Sequence, residues 1–157
     1  AVRRGARILC GGQVEIHGGG GRWVRPTVVV DVDHGMKLMT EETFGPVMPV
    51  MKFHTVDEAV ALANDGVFGL SAAVIAGTLA EAEAIAERLE AGAVSLNDGS
   101  LTGVMHEAEK NSFKCSGLGG SRMGPAGLTR FFRKKALLRQ TGKPATIGMF
   151  DESNAPR

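Results

Sequence analysis

The sequence predicts an α/β protein: a parallel βαβαβ sheet covered by helices, followed by a lone C-terminal strand. Three observations lead there. Two strand–helix units of similar length follow one another in the middle of the chain. Each helix opens on the same punctuation, Thr55-Val56-Asp57-Glu58 and Thr78-Leu79-Ala80-Glu81, a hydroxyl with a carboxylate three residues on. That spacing is a capping box. The strand segments, residues 47–53, 70–75 and 93–97, are mostly apolar rather than alternating. This is the pattern of strands covered on both faces, and right-handed crossovers then make the sheet parallel.

The elements can be justified in order. Residues 7–10 form a short apolar segment stopped by Gly11-Gly12, an edge-strand pattern. The glycine run 18–21 demands a turn. Residues 23–32 are valine-rich and read as a strand, with Pro26 placing its start near an edge. Residues 20–30 are thus expected to pair with 7–10 as a hairpin. The helix opened at Thr55 stops at Asn64-Asp65-Gly66. The helix opened at Thr78 carries Ala82, Ile85, Ala86 and Leu89 on one face, and Gly92 reads as its stop. Residues 98–114 lack periodicity and form a loop, and a helix is expected over 125–133. Residues 136–141 read as the terminal strand, an edge that needs another element or subunit to cover it. Beyond residue 142 the tail is polar.

Composition bounds the function. The chain has 157 residues, 43% of them hydrophobic and 22% charged, with a net charge of +1, so one compact domain can form and no global charge selects a partner. No apolar run reaches the length of a membrane span, and no signal-peptide pattern opens the chain. Residues 116–143 hold seven basic side chains (Arg122, Arg130, Arg133, Lys134, Lys135, Arg139, Lys143) and no acidic one. An anion or nucleic acid could bind there, but only Phe131 and Phe132 interleave, and a solvated or subunit-facing segment explains it better. Cys10 and Cys115 lack metal-type spacing, which points to a reducing compartment, taken as the cytoplasm. Cys10 reads as core packing. Cys115 lies beside Lys114 but near no histidine base, so it reads as structural. His106-Glu107-Ala108-Glu109 lacks a second histidine, and no metal site is expected. The chain opens without a methionine in residues 1–6, which read like the tail of a helix, so a piece of a larger protein is expected.

The candidate site is Glu41-Glu42-Thr43-Phe44-Gly45-Pro46, set directly before a strand. Carboxylate oxygens there could accept bonds from ribose hydroxyls, and the ring could pack on a flat heterocycle. A solvated acidic pair capping a turn is the alternative. The 98–114 loop leaves the C-terminal end of a parallel strand, where ligand crevices form. Residues 116–122 are glycine-rich and precede a helix, but their spacing matches neither a dinucleotide fingerprint nor a Walker loop.

The order of these motifs resembles the NAD(P)-dependent aldehyde dehydrogenase superfamily over nearly all of residues 1–141. The matching stretches are Gly5 to Gly12, Arg25-Pro26-Thr27-Val28, Glu41 to Pro46, Ala63-Asn64-Asp65, Gly69-Leu70-Ser71-Ala72, Glu90 to Val94 with Asn97, Lys114 to Gly119, Gly124, Gly127-Leu128 and Lys135. The resemblance implies that residues 1–133 are the C-terminal portion of a catalytic domain and 134–157 an oligomerisation strand and tail. By it, Glu42 binds the nicotinamide-ribose hydroxyls of NAD or NADP and Phe44 packs near the nicotinamide. The loop with Asp98, Gly99 and Lys110 shapes the aldehyde entrance, and the terminal strand joins a homo-oligomer. The nucleophilic cysteine, general-base glutamate, oxyanion-hole asparagine and Rossmann-like domain of the family have no counterpart here. No catalytic residue is therefore assigned, and the chain alone is expected to be inactive. Many members carry Pro-Phe-Gly-Gly where this chain has Glu109-Lys110-Asn111-Ser112. That departure implies a charged lining that disfavours purely apolar aldehydes. A non-catalytic assembly module and an anion- or nucleic-acid-binding domain are the competing readings.

Overall fold

The computed structural model describes residues 1–120, 123–142 and 147–150. Its first unit is built on valines. Strands β1 (Arg7–Cys10) and β4 (Thr27–Val30) pair antiparallel, and β4 pairs with β5 (Val47–Val50) in parallel, in the order β1-β4-β5. Thr27 and Val29 are buried on one face of β4; Val29 meets Ala6, Val32 and Met36, with Val47 and Met51 packed around them. Thr27 also locks the preceding turn. Its hydroxyl donates to the Arg25 carbonyl and accepts from the Gly12 N–H, both at 2.8 Å. A Cβ at Gly11 would lie 2.3 Å from the Pro26 carbonyl oxygen, and φ there is +76°, so glycine is required.

The predicted strand over 23–32 is broken at Pro26. Its first part becomes β3 (Gly21–Val24), which pairs with β2 (Val14–His17) in a separate hairpin around the glycine run. The alternation Val14-Glu15-Ile16-His17 before that run was the signal for it. The partner of β1 is then β4, so the expected pairing of residues 7–10 with the valine segment holds.

Helix α1 (Lys37–Thr40) leads into β5, and α2 (Val56–Asn64) follows. Thr55 caps α2 by accepting from the Glu58 N–H at 3.1 Å. The Glu58 carboxylate reaches the His54 N–H at 2.7 Å, one residue before the cap. The second box is fully reciprocal: Thr78 and Glu81 exchange bonds at the start of α3 (Leu79–Ala86). Strands β7 (Ala72–Val74) and β8 (Val94–Leu96) flank α3 in sequence and pair in parallel. Ala82 of α3 is 0% exposed and Ser95 of β8 is 1% exposed.

The α/β class holds, and so does the parallel pairing of the second and third central strands, β7 with β8, but the single sheet of three central strands does not, and the parallel pair β4–β5 was not expected. Among the described residues β5 pairs with β4 and not with β7. Pro49 supplies a reason. The bond from the Thr27 N–H to the Pro46 carbonyl sets the parallel ladder, and residues facing β4 then alternate, so Pro49 faces the open edge. That edge lacks one donor, which is where a strand tolerates proline. The strand expected over 70–75 is the shorter β7, and a separate strand that was not expected, β6 (Phe68–Gly69), precedes it and pairs with β9 (Phe113–Lys114).

Gly92 does not end α3, which stops at Ala86. Its position is set by close backbone approach, because a Cβ there would lie 2.0 Å from the Asn111 carbonyl oxygen. The expected helix over 125–133 is the shorter α5 (Gly124–Thr129). Residues 136–141 form no strand in the single chain, and Leu138 is 95% exposed. A terminal strand with no neighbour within its own chain has nothing to bond to. Cys10 is exposed rather than core, since β1 is an edge strand whose residues are all exposed.

Candidate functional site

The C-terminal end of α2 organises the site. A helix leaves its last carbonyls unpaired; here three separate segments converge on this end, and one of them reaches those carbonyls. Lys114 donates to the carbonyls of Asn64 at 2.5 Å and Gly66 at 3.0 Å, and pairs with Glu90 at 2.8 Å. A cation at this end also opposes the helix dipole. The Asn64 side chain accepts from the Glu90 N–H at 2.9 Å and donates to the Arg88 carbonyl at 2.8 Å. His34 reaches Asp65 at 2.8 Å from the loop after β4. The chain then continues in register: the Cys115 N–H donates to Val67 and the Gly69 N–H donates to the Ser116 hydroxyl, both at 2.9 Å.

These bonds build one wall of an open groove of about 330 Å³. Phe68, Leu70, Cys115 and Ser116 line it together with Met39, Thr40, Glu41 and Glu42. The structure separates the two acidic neighbours. Glu41 is paired with Lys37 at 2.9 Å. Glu42 has no hydrogen-bond or ion-pair partner among the described residues. A carboxylate on a groove wall with free oxygens suits a pair of vicinal hydroxyls. Phe44 is 99% exposed and is not on that wall; Gly45 and Pro46 turn the chain into β5 just beyond it.

The 98–114 loop holds short α4 (Leu101–Val104) and ends in β9. The Asp98 carboxylate accepts from the N–H of Ser100 at 2.6 Å and from its hydroxyl at 2.7 Å. Those bonds, the hydroxyl first, hold its pKa below the ordinary value. Asp98 therefore shapes the turn before α4, and Gly99 is exposed beside it. Lys110 lines a second cavity of about 220 Å³ with Leu70, Ser71, Thr102, Asn111 and Arg130, among others. Its ammonium donates to the Thr102 carbonyl at 2.5 Å and lies 3.2 Å from the Met123 sulfur. The loop thus brings Lys110 to a cavity whose lining does not include Asp98 or Gly99.

Sequence reasoning read Asn64 as part of a helix stop, Lys114 as a neighbour of Cys115 and Ser116 as the start of a glycine-rich loop, and it did not bring them together. Their work is structural, as is that of Asn97, which at φ +50° accepts from the Ala76 N–H at 2.8 Å, tying β8 to the loop after β7. Of the basic C-terminal segment, Arg130 sits 5.9 Å from the Phe131 ring centroid, while Arg122 and Lys143 lie outside the described residues. No cluster of three or more His, Cys, Asp or Glu side chains suited to a metal occurs among the described residues. Among them, too, no helix is long and apolar enough to cross a membrane.

Fold and site together define an α/β chain with an open groove lined by a carboxylate that has no partner among the described residues. Its family follows from comparison with known proteins: a sequence profile of the Aldehyde dehydrogenase family matches residues 1–137, and the chain belongs to that family. PutA from Anabaena variabilis is 60% identical, with a TM-score of 0.83 over 96% of this chain and 32% of its own. The NAD+ complex of betaine aldehyde dehydrogenase from Staphylococcus aureus is 32% identical, with a TM-score of 0.80 over 97% of this chain and 30% of its own. Succinate-semialdehyde dehydrogenase [NADP(+)] GabD of Escherichia coli is 40% identical over 126 residues, 79% of this chain and 25% of that protein. The chain spans about a quarter of the length of the curated relatives it matches.

Proposed function

We propose that this chain is the C-terminal part of an NAD(P)-dependent aldehyde dehydrogenase subunit that oxidises aldehydes to carboxylic acids. In this reading residues 1–133 complete a catalytic domain and residues 134–157 form an oligomerisation strand and tail. The carrying observation is Glu42, a carboxylate on a groove wall without a partner among the described residues, beside Glu41 whose charge is already paired. The groove is too small for a whole dinucleotide and fits its nicotinamide-riboside end. The cofactor, NAD or NADP, supplies the hydride acceptor when bound. Glu42 accepts hydrogen bonds from the ribose hydroxyls and fixes the ring's position. Phe44 reaches the nicotinamide through movement of the exposed 43–46 turn or through polypeptide packed on it.

Exposed surface supports the incomplete character of the unit. The chain exposes 12650 Å², against roughly 7,500 Å² for a self-contained globular chain of this mass. Phe131, Phe132, Leu137 and Leu138 contribute to the excess. We read residues 136–141 as a strand that pairs with a second subunit, and the two free thiols, Cys10 and Cys115, as fitting the reducing cytoplasm.

Two measurements test the reading. The purified 157-residue chain should not oxidise aldehydes; turnover in the ordinary range of about 1–10³ s⁻¹ overturns the assignment of the chemistry to other polypeptide. In a full-length subunit carrying these residues, Glu42→Gln should raise the KM for NAD(P) on the order of tenfold, since a neutral acceptor replaces a charged one.

A further inference from the structure

We propose that Lys114 is a positioning residue for the dinucleotide groove: by tying β9 to the end of α2, it fixes the wall that faces Glu42. This rests on the groove assignment made above. Lys114 is a bulky residue at φ +50°, a strained conformation that persists only when its surroundings impose it. The surroundings do impose it. The ammonium has three protons, and three acceptors meet it: the carbonyls of Asn64 and Gly66 and the Glu90 carboxylate. The side chain is only 22% exposed. The left-handed backbone at Lys114 turns the chain so that the next two residues, Cys115 and Ser116, meet Val67 and Gly69 and line the groove. Among the bonds described for residues 64–66, Lys114 is the side chain that reaches toward this wall, and the Ser116 hydroxyl meets the chain farther on, at Gly69. Arginine would not substitute, because a planar fork cannot reach three acceptors set around a point charge.

The first arm uses the 157-residue chain. Lys114→Met should speed hydrogen exchange at the Gly69 and Cys115 amides on the order of tenfold; unchanged exchange overturns the proposal. The second arm uses a full-length subunit with NAD+ as the probe. Lys114→Met should raise the KM for NAD+ on the order of tenfold while kcat stays within about twofold, the pattern of lost cofactor placement. Glu90→Gln, which weakens one of the three contacts, should raise it by about threefold. A Lys114→Met variant with a lower Tm and a wild-type KM sinks the proposal. If that variant does not fold, Glu90→Gln decides, and an unchanged KM overturns it. Glu42→Gln keeps the two readings apart. An unchanged KM there rejects the groove assignment itself, whereas a raised KM there beside unchanged values in both other variants rejects only the role of Lys114.

Discussion

Glu42 lines the groove, Lys114 stands one residue before its lining residue Cys115, and the two are opposites in their bonding. Lys114 spends every proton on a neighbour, while Glu42 has no partner among the described residues. Both stand in stretches that match the aldehyde dehydrogenase pattern, and the pattern alone does not separate them. The difference teaches how to sort such residues. A polar group whose capacity is met by the chain holds the scaffold, and an unmet one on a concave wall is available to a ligand.

The sharpest way to break this comparison is at the scaffold side. Gly92→Ala drives a Cβ to 2.0 Å from the Asn111 carbonyl oxygen, so the 92–111 contact must open. The expected loss is about 3 kcal/mol, the upper end for overpacking, read by urea unfolding of the 157-residue chain. Asn64→Ala removes two bonds at the α2 terminus and should cost about 2 kcal/mol in the same assay. Thr78→Ala deletes the cap of α3 and should cost about 1 kcal/mol. On the ligand side, Glu42→Gln should leave stability within about 0.5 kcal/mol of wild type. A loss as large as that of Asn64→Ala would show that Glu42 belongs to the scaffold after all.

Acid gives the mildest test. Glu15 is held below the ordinary carboxylate range by Arg25 first and then His17, and Glu58 by the His54 N–H first. A carboxyl with a lowered folded-state pKa contributes stability that is full above its unfolded value, near 4.5. That contribution fades as pH falls through the lowered value. Stability should therefore fall below about pH 4.5, and Glu58→Gln should flatten the slope slightly. Both carboxylates are exposed, so a small change is expected.

Much of this was legible in the chain. The threonine–glutamate spacing located both helix starts because capping is a local contact across three residues. The run of valines around residue 29 located the first core, and the order of motifs located the family. Less legible were the β2–β3 hairpin, hidden by reading its glycines as a bare turn, and the end of α3, where Gly92 resembled a stop signal. A glycine required by a distant backbone looks, in one dimension, like a glycine required by its own φ.

The sequence by itself determined the local punctuation, the α/β class and the membership in a family, since each depends on neighbours along the chain or on the order of short motifs. Only the tertiary structure decided where the sheet stops at Pro49 and why Asn64, Lys114 and Ser116 belong together. Those outcomes depend on groups 20 to 50 residues apart meeting within hydrogen-bonding distance, as Lys114 meets Asn64 across 50 positions. No spacing along the chain encodes such a meeting until the backbone has folded.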